Sequence, residues 1–124
     1  MTPETYTTAD VCKQLNVARH AITNLCRRGY IPHIKHNKHG RRIFSQEQVD
    51  LIAILLKMRQ AGFTSAELRQ YSRLYRQGES TAEQRLAMLT TRKHQLRQNI
   101  KNLQASIDFI ERQEELSAID GFSE

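Results

Sequence analysis

The ten residues KHNKHGRRIF, positions 35–44, carry Lys35, Lys38, Arg41 and Arg42 together with His36, His39 and Gly40, then run into Ile43 and Phe44. Cations at this density on one short loop suit a ligand with closely spaced anions, and a nucleic-acid backbone is such a ligand. A second constellation lies upstream. His20, Thr23, Asn24 and Arg27 fall at positions i, i+3, i+4 and i+7, opposite Ala21, Ile22 and Leu25, with Arg19 and Arg28 at the flanks. On a helix that spacing makes one polar face. Asn can pair bidentately with adenine, Arg with guanine, and Thr can touch a thymine methyl. An ordinary solvated face has the same composition, so the stripe gains meaning from the loop that follows it.

Other chemistry finds little support. His33, His36 and His39 are spaced by three, which alternates faces on a hairpin, and no Cys or carboxylate lies near them in sequence. Neither a metal nor a cofactor is expected there. There is no Ser/His/Asp grouping, no carboxylate pair in an apolar setting and no phosphate-cradling glycine loop, so an enzyme is not expected.

The elements that must position these residues are marked by helix start and stop signals. Ser45 to Gln48, Thr64 to Glu67 and Ser80 to Glu83 fit the capping box, and Thr7 to Asp10 is a weaker version. Gly29, Gly62 and Gly78 follow periodic segments, as helix C-terminal glycines do. The spacing predicts helices near 8–15, 19–28, 46–60, 65–76 and 81–116. The one strand-like stretch is 31–44, broken at 37–40. Val11, Leu15, Val17, Ile22 and Leu25 can close a small core between the first two helices, a helix-turn-helix pattern. Ile34, Ile43 and Phe44 can pin a two-stranded hairpin to that core. The hairpin then projects Lys35, Lys38, Arg41 and Arg42 as a wing beside the second helix.

Charge follows the same division. Residues 1–45 hold eight Lys/Arg against two acids, and residues 46–124 hold eleven of each sign. The whole surplus of +6 lies in the first third, which reads as an anion-binding head on a neutral body. No apolar run is long enough to span a membrane. The N-terminal residues lack a secretory pattern, so a cytoplasmic location is expected. Cys12 and Cys26 read as buried free thiols of a reducing compartment.

Leu89, Leu96, Leu103 and Ile110 recur every seven residues, with Leu86, Ile100 and Ile107 in the companion positions and Lys93 interrupting. This is a coiled-coil seam on a helix of about 54 Å, at roughly 1.5 Å per residue. A lone helix with such a stripe needs a partner, and the preceding residues are too few to cover it.

In this order the parts resemble the MerR family of bacterial transcription regulators. The resemblance is carried by YTTADVCKQLNVARHAITNLCRRGYIP, GRRIFSQEQVDLI, MRQAGFTSAELRQY and YSRLYRQGESTAEQRLAML. It implies a mainly α fold: a winged helix-turn-helix head with a helix pair over 1–76, a coiled-coil dimerisation helix over 80–116 and a short tail over 117–124. It also implies a homodimer, joined by antiparallel pairing of the long helix through Leu86, Leu89, Leu96, Ile100, Leu103, Ile107 and Ile110. Such a dimer binds double-stranded DNA at a pseudo-palindrome and bends and underwinds a promoter, acting on RNA polymerase indirectly. A small-molecule effector would have to use a crevice between the helix pair and the partner's long helix, where Met58, Tyr71 and Tyr75 are placed, because the eight residues after Leu116 leave no room for a separate effector domain. An architectural or excisionase-like DNA-binding protein uses the same head without regulating a promoter.

There are departures. Where family members carry Arg-Tyr-Tyr-Glu on the second helix, this chain has Thr23, Asn24, Leu25 and Cys26. Where the wing usually reads Gly-Tyr-Arg, it reads Gly40, Arg41 and Arg42, with Phe44 in the aromatic position. The cysteine that sensing members place on the helix after the wing is absent from DLIAILLKM.

Overall fold

A computed structural model describes residues 4–122. The chain divides into two units, Met1–Leu86 and Ala87–Glu124. The first begins with β1 (Tyr6–Thr7), α1 (Thr8–Leu15) and α2 (Arg19–Arg27). Then come β2 (Lys35–His36), β3 (Arg42–Phe44), α3 (Gln46–Gln60), α4 (Ser65–Arg76) and a 3-10 turn at Gly78–Thr81. The long helix α5 (Ala82–Phe122) starts in the first unit and makes up the described part of the second.

Three of the expected helix starts form complete capping boxes. Thr7, Ser45 and Thr64 each accept from the amide three residues on, and Asp10, Gln48 and Glu67 each reach back to the cap amide. The bonds from the Thr7 amide and hydroxyl hold the Asp10 carboxyl below its usual range. The fourth expected box does not form. The Ser80 hydroxyl donates to the Gln77 carbonyl, and Thr81 donates to the carbonyls of Leu74 and Gly78. Both hydroxyls are used to tighten the 3-10 turn, and α5 begins one residue later than the sequence suggests.

The sheet has the order β1-β3-β2, with both pairings antiparallel. Tyr6 faces Phe44, and Lys35 and His36 face Ile43 and Arg42. β1 is not visible in the sequence, because two residues carry no periodicity and their pairing comes from β3. Its effect is to make β3 the central strand, which fixes the wing root from both sides.

The core of this unit is built from Val11, Ile22, Leu25, Tyr30, Phe44, Val49, Leu51, Ile52, Leu55 and Leu68, all at most 2 % exposed. Leu15 and Val17, expected in the same core, are half-buried. Phe44 is fully buried while Ile34 and Ile43 are half-buried, so Phe44 is the main anchor of the hairpin.

α5 runs 41 residues, about 60 Å at 1.5 Å per residue. The expected tail at 117–124 is helical as far as Phe122. Ser117 to Asp120 contain no breaker, and the one nearby glycine stands at 121. Along the single helix Leu86, Leu89, Ile100, Leu103, Ile107 and Ile110 are all exposed, Leu103 by 64 %, and Leu96 is half-exposed.

Candidate nucleic-acid interface

The helix-turn-helix closes through Asn16, which caps α1 in the left-handed region at φ 56. Arg19, His20, Arg27 and Arg28 are exposed, and Thr23 and Asn24 are half-buried. Thr23 donates its hydroxyl to the His20 carbonyl at 3.3 Å. Asn24 accepts from Arg28 Nε at 3.2 Å. His20 and Arg27 therefore project freely, whereas Asn24 must exchange an intramolecular partner before it can pair with a base.

The wing tip is pre-shaped. Asn37 Oδ1 accepts from the amides of His39 and Arg41, at 2.9 and 3.1 Å. The Asn37 amide donates to the Arg41 carbonyl, and the Gly40 amide to the Asn37 carbonyl. Gly40 stands at φ 76, a conformation that suits glycine. The tip leaves Lys35, Lys38 and Arg41 exposed and Arg42 half-buried. Arg42 lies close enough to Cys26 on α2 to act on its thiol.

Two braces that spacing does not reveal hold the segment between them. Gln48, the capping-box residue of α3, also donates Nε2 to the carbonyls of Pro32 and His33, at 2.7 and 3.2 Å. His33 sits at φ 56, a costly conformation for a non-glycine residue, and Gln48 clamps it there. The available signal was the amide nitrogen of Gln48, left over once its oxygen is used in the cap. Tyr30, 1 % exposed, donates its hydroxyl to the Ser65 carbonyl at 3.3 Å, and its own carbonyl accepts from the Ser72 hydroxyl.

An open cleft of about 480 Å³ lies beside the wing root, bordered by Pro32, Lys35, Phe44, Leu51, Tyr75 and Arg76 among others. Of the three candidate effector-lining residues, Tyr75 borders it. Met58 and Tyr71 are packed in the core. Among the described residues no three His, Cys, Asp or Glu side chains gather as a metal site, and no helix is long and apolar enough to cross a membrane.

The head, wing and helix pair match the family model described as MerR HTH family regulatory protein over residues 6–74. A second model, described as MerR, DNA binding, matches residues 49–113. The chain belongs to the MerR family. A protein described as HTH-type transcriptional regulator AdhR, from Bacillus subtilis, is 30 % identical over 88 residues, covering 71 % of this chain and 63 % of that protein. An uncharacterized HTH-type transcriptional regulator from Haemophilus influenzae is 20 % identical over 107 residues, covering 86 % and 79 %. Among solved structures, HiNmlR, a MerR family regulator lacking the sensor domain, bound to promoter DNA, has a TM-score of 0.72 at 19 % identity, covering 85 % of this chain and 80 % of that one. A MerR family protein from Listeria monocytogenes has a TM-score of 0.70 at 27 % identity, covering 96 % and 99 %. This chain is thus a MerR transcriptional regulator with a DNA-binding domain and no enzyme.

Within this MerR head both cysteines are free and half-buried, less enclosed than the sequence suggests. Burial pushes the Cys26 thiol up, and the Arg42 charge offsets this in part, leaving it above its ordinary value. A protonated thiol is a poor nucleophile toward peroxide. DNA binding is therefore expected to be equally insensitive to peroxide in the parent and in a Cys12→Ser/Cys26→Ser variant. Thiol-reversible loss of binding in the oxidised parent would refute this.

Proposed function

We propose that the chain acts as a cytoplasmic homodimer on a pseudo-palindromic promoter operator, reading bases with α2, gripping flanking phosphates with the wing, and regulating by bending and underwinding the spacer. The carrying observation is an exposed cationic wing tip, shaped by Asn37 and Gly40, in a head whose α2 exposes Arg19, His20 and Arg27. The neighbour solved on promoter DNA shares this fold and supports the reading. RNA polymerase then responds indirectly, through the realigned promoter elements. A small-molecule effector, for a member that takes one, has the Tyr75 cleft open to it.

Charge along α5 supports the homodimer. Arg85, Arg92, Lys93, Arg97 and Lys101 fall in one stretch without an acid, while Asp108, Glu111, Glu114, Glu115 and Asp120 share the next with Arg112 alone. Parallel pairing stacks like charges, and antiparallel pairing opposes them. A register centred on Gln98 sets Leu86 against Ile110, Leu89 against Ile107 and Leu96 against Ile100 of a second copy. It also sets Arg85 against Glu111.

Sequencing the DNA that copurifies with the protein, followed by footprinting, tests the function. A regulator protects one palindrome between promoter elements. Spreading protection would favour an architectural role and overturn the proposal. Within the operator Arg27→Ala is expected to cost about 1–3 kcal/mol, and much less on random duplex. Equal weakening on both would reassign Arg27 to a phosphate.

A further inference from the structure

The cleft beside the wing root takes its walls from the wing, α3 and α4. Phe44 and Leu51, 0 % and 2 % exposed, lie at its floor. Tyr75 supplies one wall, and its ring is held by two neighbours. The Tyr71 ring stacks on it at 6.3 Å and 28°, and the Arg85 guanidinium lies 5.5 Å from its centre. The lip at Pro32 and His33 is fixed by the two bonds from Gln48, with His33 in the left-handed region at φ 56. A clamped backbone outlier of this kind costs stability, and such outliers gather at binding sites. At about 480 Å³ the cleft falls within the roughly 300–1,000 Å³ of small-ligand sites.

Its rim carries charge of both signs. Glu4 and Glu47 stand there with Lys35 and Arg76, all four exposed. Among the described residues no ion pair joins an acid of this rim to a cation of it. Glu4 accepts from the Tyr6 hydroxyl at 3.0 Å, and Arg76 donates to the Gly29 carbonyl at 3.2 Å, both neutral partners. Opposite charges set round one apolar floor, and not paired with one another, suit a ligand that carries both signs. Its ammonium answers the carboxylates and its carboxylate answers the cations, through charge-assisted bonds. A ligand with a single charge leaves half of the rim unmatched and meets like charge there.

We propose that this cleft binds a small zwitterion with an apolar body, the class of the apolar amino acids, and that the ligand's carboxylate draws Lys35 away from the DNA backbone. Glu47 takes the ammonium, Tyr75 and Ile43 flank the apolar body, and Lys35 and Arg76 take the carboxylate. This rests on the reading above that an effector uses the Tyr75 cleft. Lys35 is the link, since it stands on β2 of the wing as well as on the rim. Its ammonium is a single charge on a flexible stem, so a carboxylate bound beside it competes with a phosphate for the same group. By linkage, ligand and DNA then weaken each other by the same factor.

Isothermal calorimetry on the full chain without DNA reads the site. The probes are tryptophan, phenylalanine and leucine, each beside the amine and the carboxylic acid that lack its other charge. At least one amino acid is expected to bind about tenfold more tightly than both of its singly charged relatives, and Glu47→Gln is expected to abolish that preference. Glu47 is exposed and stands outside the capping box of α3, which runs through Ser45 and Gln48. The variant therefore keeps the fold and, without ligand, the parent affinity for duplex. A titration with mixed-sequence duplex over a potassium chloride series reads the coupling. With the amino acid saturating, the slope of log affinity against log salt is expected to flatten by about 0.9 for each Lys35 withdrawn, about 1.8 per dimer, in the parent and not in Glu47→Gln. No preference for any zwitterion, or one that survives Glu47→Gln, overturns the site and leaves the DNA-binding reading standing. A zwitterion that binds through Glu47 without changing the salt slope overturns the coupling, and with it the effector reading of this cleft.

Discussion

Leu103→Lys is expected to convert the protein from a dimer to a monomer at micromolar concentration. Leu103 is 64 % exposed on the single chain, so the substitution costs an isolated helix little. In the antiparallel register centred on Gln98, Leu103 stands opposite Lys93 of a second copy, the one break in the seam. The apolar stem of Lys93 can lie against leucine while its amine reaches water. A lysine at 103 removes that surface and sets two ammonium groups face to face, twice per dimer. The lost apolar contact and the opposed like charges, each present twice, are expected to cost a few kcal/mol per dimer, and each 1.4 kcal/mol is tenfold in the association constant. Sedimentation checks the outcome, with circular dichroism to confirm that the head stays folded. A parent that sediments as a stable folded monomer, or a variant that stays dimeric, would rule out the seam.

The long helix that carries the heptad repeat was legible because a seven-residue pattern of this length fits few other elements. The capping boxes at Thr7, Ser45 and Thr64 were legible for a different reason, since each bonds only within its own turn. Ser80 shows the limit of local reading. The same motif stands there, but the Gln77 carbonyl offers its hydroxyl another partner. β1 was hidden because Tyr6 and Thr7 become a strand only by facing Phe44 and Ile43, more than thirty residues away. The interface divides in the same way. The polar face of α2 and the cations of the wing follow from spacing and composition. What fixes them in place is long-range: Gln48 on Pro32, Ser72 on Tyr30, and Arg28 on Ser65. Residue spacing alone does not reveal such pairs, and it held no sign that Asn24 would already be engaged by Arg28.

The wing offers the other large effect. Lys38→Ala/Arg41→Ala/Arg42→Ala is expected to lower affinity for every duplex by a similar factor, because cations on phosphates act through counterion release and carry no base identity. Three phosphates released in each half of a dimer would flatten the salt slope by about 5 at 0.9 apiece, which amounts to orders of magnitude in affinity near physiological salt. The geometry supports a weaker grip on phosphate with the fold intact. Asn37 and Gly40 shape the tip, and Phe44 anchors it, while Lys38 and Arg41 are exposed and contribute no packing. Arg42 is the exception to watch, since it is half-buried and lies near Cys26. Arg42→Ala alone would remove a charge from the wing root and, with it, the offset to the Cys26 thiol. Arg42→Lys restores that charge, and with it the slope, if Arg42 meets a phosphate. A triple variant with the parent slope would mean that the hairpin does not touch the backbone. The charge concentrated at 35–44 would then have to serve a ligand other than DNA.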